Sequence, residues 1–390
     1  MEIPHASRSP LFNTQQPIQL NHYQKSQSLF LNHLFLETIN VDQQKIVDAF
    51  IQLQQFIPIL KTKIDKNDTI TFISNPYPMT KTPHLSTAED SMNFVNEKSF
   101  KEIQTKNLQG YFSQGKTSYF HILVNQAICD SEGCFIIAKE FLKLLNGENI
   151  EFHEPVSLPE LINFDIGEQI DFPYTFNVVK YLFKHQPSNK NQLEFFIAEF
   201  SKEETVLLEK FCDENNTQLH IFCQLSSIMC KLFLDKTTHW KYGLCFQENI
   251  NAIQRISAIS ENIIMQIERS DLEGDFIKVA QEVSEQYLSL KKDNFDKHIN
   301  IQRNIVYSGA KLEQDSFCSD FTNYFGDIEL NCLNHKIGKV NKEKYVNIES
   351  QLFCAKSQGQ LYGVFCNSQQ MTESQQVCDS WKRFILRVII

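Results

Sequence analysis

The first clear periodicity of apolar residues lies in the segment DQQKIVDAFIQLQQFIPIL, residues 42–60, and has the spacing of an amphipathic helix. Asp42 is placed to cap this helix, and Pro58 is placed to bend or end it. Val41 and Ile46 flank the cap in the spacing of a hydrophobic staple. The apolar face consists of Ile46, Ala49, Phe50, Leu53, Phe56, Ile57 and Leu60.

A short strand is predicted at 69–74, and residues 75–117 are mixed and polar. The run SYFHILVNQAI, residues 118–128, then predicts a buried strand because it is apolar, β-prone and bounded by polar turns. A helix with an apolar stripe follows, and Gly147 is well placed to end it.

The second half of the chain also alternates strands with helices. A strand at 193–200 precedes Ser201 and Glu204, which have the spacing of a capping box. Thr217 is predicted to cap a long apolar helix, and Thr372 with Gln375 to cap the last one. Between these two helices the pattern predicts strands at 242–250, 345–356 and 360–367 and a helix at 275–290.

The segment 148–191 has four prolines and few periodic runs, which is typical of a linker. We therefore predict two domains, 1–175 and 176–390. Because strands and helices alternate in both halves, the predicted fold class is α/β with mixed α+β sheets.

Composition excludes several classes of function. The chain has 390 residues, a formal net charge of −10 and no basic stripe, so we expect no nucleic-acid partner. The first residues lack the apolar region of a signal peptide, and no stretch approaches the length of a membrane span. We expect a cytoplasmic protein without a membrane-spanning segment.

The eleven cysteines are never in C-x-x-C spacing and mostly lie inside apolar runs, as in IMCKLF and YGVFC. This pattern is typical of reduced, buried thiols. The histidines are scattered singly, so we expect no metal site.

The order of segments resembles the acyltransferase superfamily that includes chloramphenicol acetyltransferase, the condensation domains of peptide synthetases, and the alcohol and polyketide-associated acyltransferases. Residues 39–64 are similar to its opening strand and helix, and residues 200–256 to its linker strand, helix pair and return strand. TNYFGDIEL, from residue 322, resembles its S-N-x-G-x-I-x-L strand with one extra residue before Gly326. Residues 358–385 are similar to its last strand and helix. The resemblance implies two chloramphenicol-acetyltransferase-like subdomains with a channel between them.

The motif of that family, H-H-x-x-x-D-G, falls on NQAICDS in this sequence. Asn125 and Gln126 stand at the two histidine positions, Asp130 at the aspartate and Ser131 at the glycine, with Gly133 two places late. In the family the second histidine is the general base, a role worth roughly 10² to 10⁴ in rate. A glutamine amide hydrogen-bonds but takes no proton at neutral pH.

Other residues acquire roles only through the resemblance. Gln126, Asp130 and Asn323 take the catalytic positions, and Asn125, Ser131, Gly133 and Thr322 are expected to contact substrate. Asp130 is expected mainly to pair with an arginine of the second half, for which Arg255 is the candidate; on the residues alone it is a helix N-cap. Asn323 is either an oxyanion donor or a turn residue at a strand end.

Three further side chains have competing interpretations. Cys129, beside Asp130, is either a nucleophile or a packed thiol, and packing is favoured because no histidine neighbours it in sequence. His121 has odd parity relative to Gln126 on the strand and is predicted to be a core histidine on the other face. His220, on a helix, is a less supported substitute base.

The expected function is acyl transfer from a CoA or carrier-protein thioester to a small hydroxyl or amine acceptor, impaired or altered by Gln126. The alternative is a catalytically inactive protein that binds a carrier protein, a ligand or a protein partner. No tightly bound cofactor is expected, and acyl-CoA or a phosphopantetheine thioester would be the co-substrate. An acyl or peptidyl carrier protein is the expected macromolecular partner.

Overall fold

A computed structural model provides the structure of the chain. It describes residues 17–20, 28, 30–39, 41–100, 106–129, 131–153, 194–234, 241–248, 261–293, 317–328, 332–338, 350–367 and 371–390.

The first half contains seven strands and three α-helices within the described residues. The strands are β1 (Ile18–Gln19), β2 (Phe30–Ile39), β3 (Thr62–Ile64), β4 (Thr69–Phe72), β5 (Met79–Lys81), β6 (Leu108–Ser113) and β7 (Thr117–Asn125). The helices are α1 (Gln43–Phe56), α2 (Ala88–Phe100) and α3 (Ser131–Leu145), with a 3₁₀ turn at Pro58–Leu60.

The second half contributes a further set of alternating elements over the ranges described. Its strands are β8 (Glu194–Glu199), β9 (Lys241–Glu248), β10 (Glu261–Glu268), β11 (Phe317–Ile328), β12 (Cys332–Gly338), β13 (Ser350–Ser357) and β14 (Gln360–Asn367). Its helices are α4 (Lys202–Glu214), α5 (Leu219–Leu234), α6 (Arg269–Leu272), α7 (Phe276–Asp293) and α8 (Met371–Ile389).

Two large mixed sheets organise the fold. One has the strand order β12-β2-β7-β6-β5 and the other the order β10-β9-β11-β13-β14-β8, while β1, β4 and β3 form a small third sheet. In the six-stranded sheet, β11 lies parallel to both β9 and β13, and the remaining pairs are antiparallel. The predicted α/β class with mixed sheets is confirmed.

The strand β12 comes from the second half of the sequence but belongs to the sheet of the first half. It pairs antiparallel with β2, from Cys332 opposite Leu36 to Gly338 opposite Phe30. The predicted domain boundary at residue 175 lies outside the described residues and stays a prediction.

The helix α1 forms for the reasons that its sequence indicates. Asp42 caps it by accepting a hydrogen bond from the backbone N–H of Gln44, and the helix ends before Pro58. Its buried face packs on the five-stranded sheet so closely that a Cβ at Gly110 would lie 2.5 Å from the Phe50 ring. Glycine at this point of β6 is what allows the helix to approach.

The core of the second half is centred on Trp381 of α8. The indole N–H donates to the Cys223 carbonyl on α5 at 3.0 Å, and the ring packs edge-on to Phe200 and Phe365. Gly363 on β14 lies directly beneath the ring, where any Cβ would overlap it. A fully buried tryptophan whose N–H is paired contributes large apolar area without a polar penalty.

A third apolar cluster joins the two large sheets. From the first half it takes the odd-numbered face of β2, β6 and β7 together with α2, and from the second half β8, β13 and β14. Its buried members are Leu31, Phe35, Met92, Val95, Tyr111, Tyr119, Leu123, Phe195, Phe353 and Val364. Because these side chains are removed from water only when the halves meet, the cluster stabilises their association.

Two predicted caps are wrong because the helices begin elsewhere. The helix α5 begins at Leu219, so Thr217 lies before the residue that precedes the helix, and its hydroxyl donates to the Cys212 carbonyl at the end of α4. The helix α8 begins at Met371, so Thr372 lies inside it, and the Gln375 amide donates to Asp379 along the helix surface.

The capping box on α4 is confirmed, with Ser201 and Glu204 exchanging hydrogen bonds with each other's backbone N–H. Gly147 ends α3 in the left-handed conformation, at a φ of +80°. The elements α2, β5 and β6 lie inside the stretch 75–117, whose polar composition gave no periodic signal for them.

Candidate functional site

The two faces of β7 have different surroundings. Phe120, Ile122 and Val124 point into the core under α1 and α3, while Tyr119 and Leu123 join the cluster between the sheets. His121 shares the second face, as its odd parity predicts. The chain leaves the strand after Asn125, and the tight turn that follows leads into α3.

Backbone hydrogen bonds close this turn on the carbonyl of Asn125. That oxygen accepts from the N–H of Ile128 at 3.1 Å and from the N–H of Cys129 at 3.2 Å. The Asn125 side-chain oxygen accepts from the Ala127 N–H at 2.9 Å, and its NH₂ donates to the Ser28 carbonyl at 3.2 Å. Asn125 thus shapes the turn with both ends of its amide, a role that asparagine performs better than imidazole.

A second asparagine supports the turn from the neighbouring strand. The buried side chain of Asn32, on β2, donates to the Cys129 carbonyl at 2.8 Å. A buried hydrogen bond of this kind would be costly to leave half-made. The turn is therefore held at both ends, through Asn125 where it begins and through Cys129 where it closes.

Gln126 lies between these two anchors, in the first position of the turn. The residue is only 5% exposed, yet no other described residue makes a hydrogen bond to its side-chain amide. The structure thus presents a nearly buried donor and acceptor with open hydrogen-bonding capacity.

The remaining motif residues are described only in part. Ser131 is the first residue of α3, and Gly133 lies buried in the first turn of that helix. Asp130 lies outside the described residues, as does Arg255. The predicted pairing of these two side chains therefore stays a prediction.

Thr322 and Asn323 lie in the middle of β11, opposite Leu352 and Phe353 of β13. The interpretation of Asn323 as a turn residue at a strand end is wrong, because the strand continues to Ile328. The register between β11 and β13 shifts between Tyr324 and Asp327, which is where the sequence has one residue more than the family pattern. The expected roles of Thr322 and Asn323 toward a substrate stay predictions.

His121 belongs to a buried polar cluster on the face of β7 away from α3. Its Nε2 atom lies 2.8 Å from the Ser91 hydroxyl oxygen of α2, and its Nδ1 atom lies 2.9 Å from Nε2 of His33 on β2. All three side chains are buried, and burial lowers the pKa of His121 to about 3. The interpretation of His121 as a core histidine is confirmed.

Neither alternative nucleophile or base is exposed at the turn. Cys129 is fully buried, and its sulfur lies 3.7 Å from the sulfur of Cys134. His220 lies on α5, where its ring packs edge-on to Tyr287 of α7 at 4.9 Å between centroids. The described residues of the turn, 125–129, include no imidazole and no carboxylate.

Comparison with solved structures identifies the architecture. The trichothecene 15-O-acetyltransferase TRI3 from Fusarium sporotrichioides superimposes with a TM-score of 0.69 at 11% identity, over 94% of this chain and 94% of that chain. Polyketide synthase associated protein 5 from Mycobacterium tuberculosis gives 0.67 at 11% identity, over 96% of this chain and 99% of that one. The chain has the condensation-domain and acyltransferase fold.

The first condensation domain of the calcium-dependent antibiotic synthetase gives a TM-score of 0.67 at 10% identity, over 96% of this chain and 97% of that one. No protein-family model and no curated protein matches the sequence. The resemblance inferred from the order of segments is confirmed at the level of the fold. No helix in the described part of the chain is both long and apolar enough to cross a membrane.

The sequence analysis missed Asn32, His33 and Ser91. The first two interrupt the apolar run FLNHLFL of β2, and this interruption was the available signal, because polar residues inside a buried strand require partners. Ser91 gave no signal, since it lies in a helix that the polar composition of 75–117 concealed.

Proposed function

We propose that the protein binds an acyl thioester beside Gln126 and positions it for attack by an amine. The observation that carries this proposal is the Gln126 amide, which is nearly buried and has no hydrogen bond to any other described residue. The resemblance to the family motif assigns this residue to the position of the general base. Native structures pair almost all of their buried polar groups, so an amide left with open capacity is suited to a ligand.

The type of acceptor follows from what an amide can do. An alcohol must lose its proton as it attacks, and a carboxamide accepts no proton at neutral pH. An amine that arrives unprotonated already carries a free electron pair. Orientation beside the thioester can then lower the barrier by several kcal/mol without a base. We expect the transfer to be slow and directed to amines.

The second candidate is a protein that keeps the thioester site without turnover. It is supported by the turn around Asn125 and Asn32, whose hydrogen bonds are made by asparagine side chains and need no imidazole. Such a protein would bind a carrier protein, a ligand or a protein partner.

The acyl donor in this proposal is acyl-CoA or the phosphopantetheine thioester of a carrier protein, with no tightly bound cofactor. A carrier protein is supported by the similarity to the condensation domain of the calcium-dependent antibiotic synthetase and to polyketide synthase associated protein 5. As part of this proposal, the protein acts in the cytoplasm, which is the location expected from the sequence.

The test measures thiol release from a panel of acyl-CoA thioesters, each offered with matched amine and alcohol acceptors. Wild type is compared with Gln126→His, which restores an imidazole, and with Gln52→His, the same substitution at an exposed site on α1. We expect wild type to release thiol only with amines. In Gln126→His the rate of transfer to alcohols should rise by a factor of roughly 10² or more. The control Gln52→His should behave as wild type.

If neither wild type nor Gln126→His releases thiol with any acceptor, the proposal of acyl transfer is overturned. Direct binding of a non-hydrolysable acyl-CoA analogue then separates the candidates. Saturable binding that is weakened in Gln126→Leu would establish the site without turnover, whereas no binding by either protein would overturn both candidates.

A further inference from the structure

We propose that Cys129 and Cys134 form a redox-sensitive thiol pair whose disulfide links the end of the turn carrying Gln126 to the first turns of α3. The two sulfur atoms lie 3.7 Å apart, and both side chains are buried. A disulfide bond is about 2.05 Å long, so the sulfurs must approach each other by about 1.6 Å. The two residues are five positions apart in sequence, and closing the bond requires only a local adjustment.

The local architecture favours that adjustment. Cys129 ends the turn that is hydrogen-bonded to the Asn125 carbonyl, and Cys134 lies in the first turns of α3. Opening this junction breaks the hydrogen bonds that join Cys129 to Asn32 and Asn125, a local event of the kind that native proteins undergo without unfolding globally. An oxidant reaches the buried thiols through this opening, and the short connection keeps the second thiol close to the first.

The second half of the chain contains a contrasting thiol pair. Cys223 on α5 hydrogen-bonds to Cys354 on β13, and the pKa of Cys223 is raised well above its usual value by that bond and by burial. These two cysteines are far apart in sequence, and each lies inside a regular element of the core. Their approach requires a helix to shift against a sheet, which close packing opposes.

Other cysteines in the described part of the second half are also protected. Burial raises the pKa of Cys212, Cys230 and Cys378 to about 12. Since the thiolate is the reactive form, these side chains are poor nucleophiles at neutral pH. The cysteines of the second-half core therefore serve as an internal control for the oxidation of Cys129 and Cys134.

The chemistry needs a two-electron oxidant, for which hydrogen peroxide serves. The first cysteine, as thiolate, attacks one peroxide oxygen, and the O–O bond breaks to give a sulfenic acid and hydroxide, which takes up the released proton as water. The second thiol then attacks the sulfenic sulfur, the S–O bond breaks, and a second water leaves. The two thiols have lost two hydrogen atoms and two electrons, and one peroxide has been reduced to two waters.

The full-length protein supplies a clean readout. Trypsin cuts after Lys116 and Lys139, so the peptide 117–139 contains Cys129 and Cys134 and no other cysteine. After peroxide treatment, free thiols are blocked with a maleimide under denaturing conditions. We expect this peptide to lose two hydrogen atoms and its two maleimide labels, and a thiol reductant to restore both labels.

The peptides 211–231 and 345–356, which contain Cys223 and Cys354, should retain their labels at the same peroxide dose. In Cys129→Ser and Cys134→Ser the disulfide must be lost, and the remaining thiol should be trapped as a sulfenic acid by a dione reagent. The proposal is overturned if the peptide 117–139 keeps both labels until the second-half cysteines oxidise. It is equally overturned if its thiols reach sulfinic acid without a disulfide. None of these outcomes depends on acyl transfer.

Discussion

Two buried polar side chains, one in the middle of β7 and one just after its end, differ in how completely they are paired. On one face of the strand, His121 bonds to both Ser91 and His33, and every atom of the imidazole that can form a hydrogen bond is used. One residue past the strand end, Gln126 is almost as deeply buried, but no described residue bonds to its amide.

The comparison separates two uses of polar residues in a core. A fully satisfied cluster fixes the mutual position of α2, β2 and β7, because each partner would be costly to bury alone. The Gln126 amide, by contrast, makes no hydrogen bond to a described residue and is therefore available to a ligand. The two described histidines of this region, His33 and His121, are therefore structural.

The largest expected effect comes from the fully hydrogen-bonded cluster of His121, His33 and Ser91. His121→Leu leaves the Ser91 hydroxyl and one His33 nitrogen without this partner, so we expect a loss of about 2–4 kcal/mol in the free energy of unfolding. Denaturant titration measures it, with His84→Leu on the exposed loop as control. A loss below that of the control would show that the cluster does not hold the sheets.

A smaller loss is expected from the turn's own anchor. Asn125→Leu removes the acceptor for the Ala127 N–H and the donor to the Ser28 carbonyl, and should cost about 1–2 kcal/mol. The same titration measures it. Asn125→Asp, which keeps the acceptor, should recover part of the loss, and an equal loss in both variants would contradict the role of the side-chain oxygen.

The pH dependence of stability tests the histidine cluster without a large perturbation. The pKa of His121 is lowered to about 3 in the folded protein, so the unfolded chain binds a proton between the ordinary pKa near 6.5 and pH 3 while the folded protein does not. Stability should thus fall by about 1.4 kcal/mol per pH unit as the pH drops through this window.

Glu37 contributes the opposite slope, because burial and the charge of Glu199 raise its pKa in the folded state. Unfolding free energies between pH 7 and 5 are therefore best measured in a Glu37→Gln background. His121→Gln in that background should abolish the slope assigned to His121. An unchanged slope would place its origin elsewhere.

The smallest expected effect on stability comes from Gln126. Gln126→Leu removes an amide that stabilises nothing in the described structure, so the free energy of unfolding should change by less than about 0.5 kcal/mol. The same variant should lose thioester binding. A destabilisation as large as that of Asn125→Leu would mean that Gln126 is a structural residue, and the comparison would fail.

Much of this arrangement was predictable from sequence patterns. A continuous apolar, β-prone run identified β7, period-3.6 hydrophobicity identified α1 and α3, and parity relative to Gln126 predicted that His121 lies on the other face of the strand. The order of segments identified the fold. The motif resemblance drew attention to Gln126, whose role stays a prediction, but its amide without a bond to the described residues depends on the atoms around it, which no local pattern encodes.

What escaped prediction required long-range contacts. The polar pair Asn32 and His33 on β2 acquires its partners 97 and 88 residues later in the chain. Thr217 was misassigned as a cap because α5 begins only at Leu219, where the N–H of Gln218 donates to the Ser284 hydroxyl of α7, 66 residues later in the chain. Tertiary contacts of this kind are not encoded in local propensity.

The position of β12 has a consequence for how the protein can be divided. A fragment ending at residue 175 would lack Cys332–Gly338, and β2 would change from an interior strand to an open edge with a row of unpaired backbone groups. Such an edge is a template for intermolecular pairing. The native five-stranded sheet can be completed only after residue 338 has been synthesised, so the first half of the chain acquires its full topology only from the second.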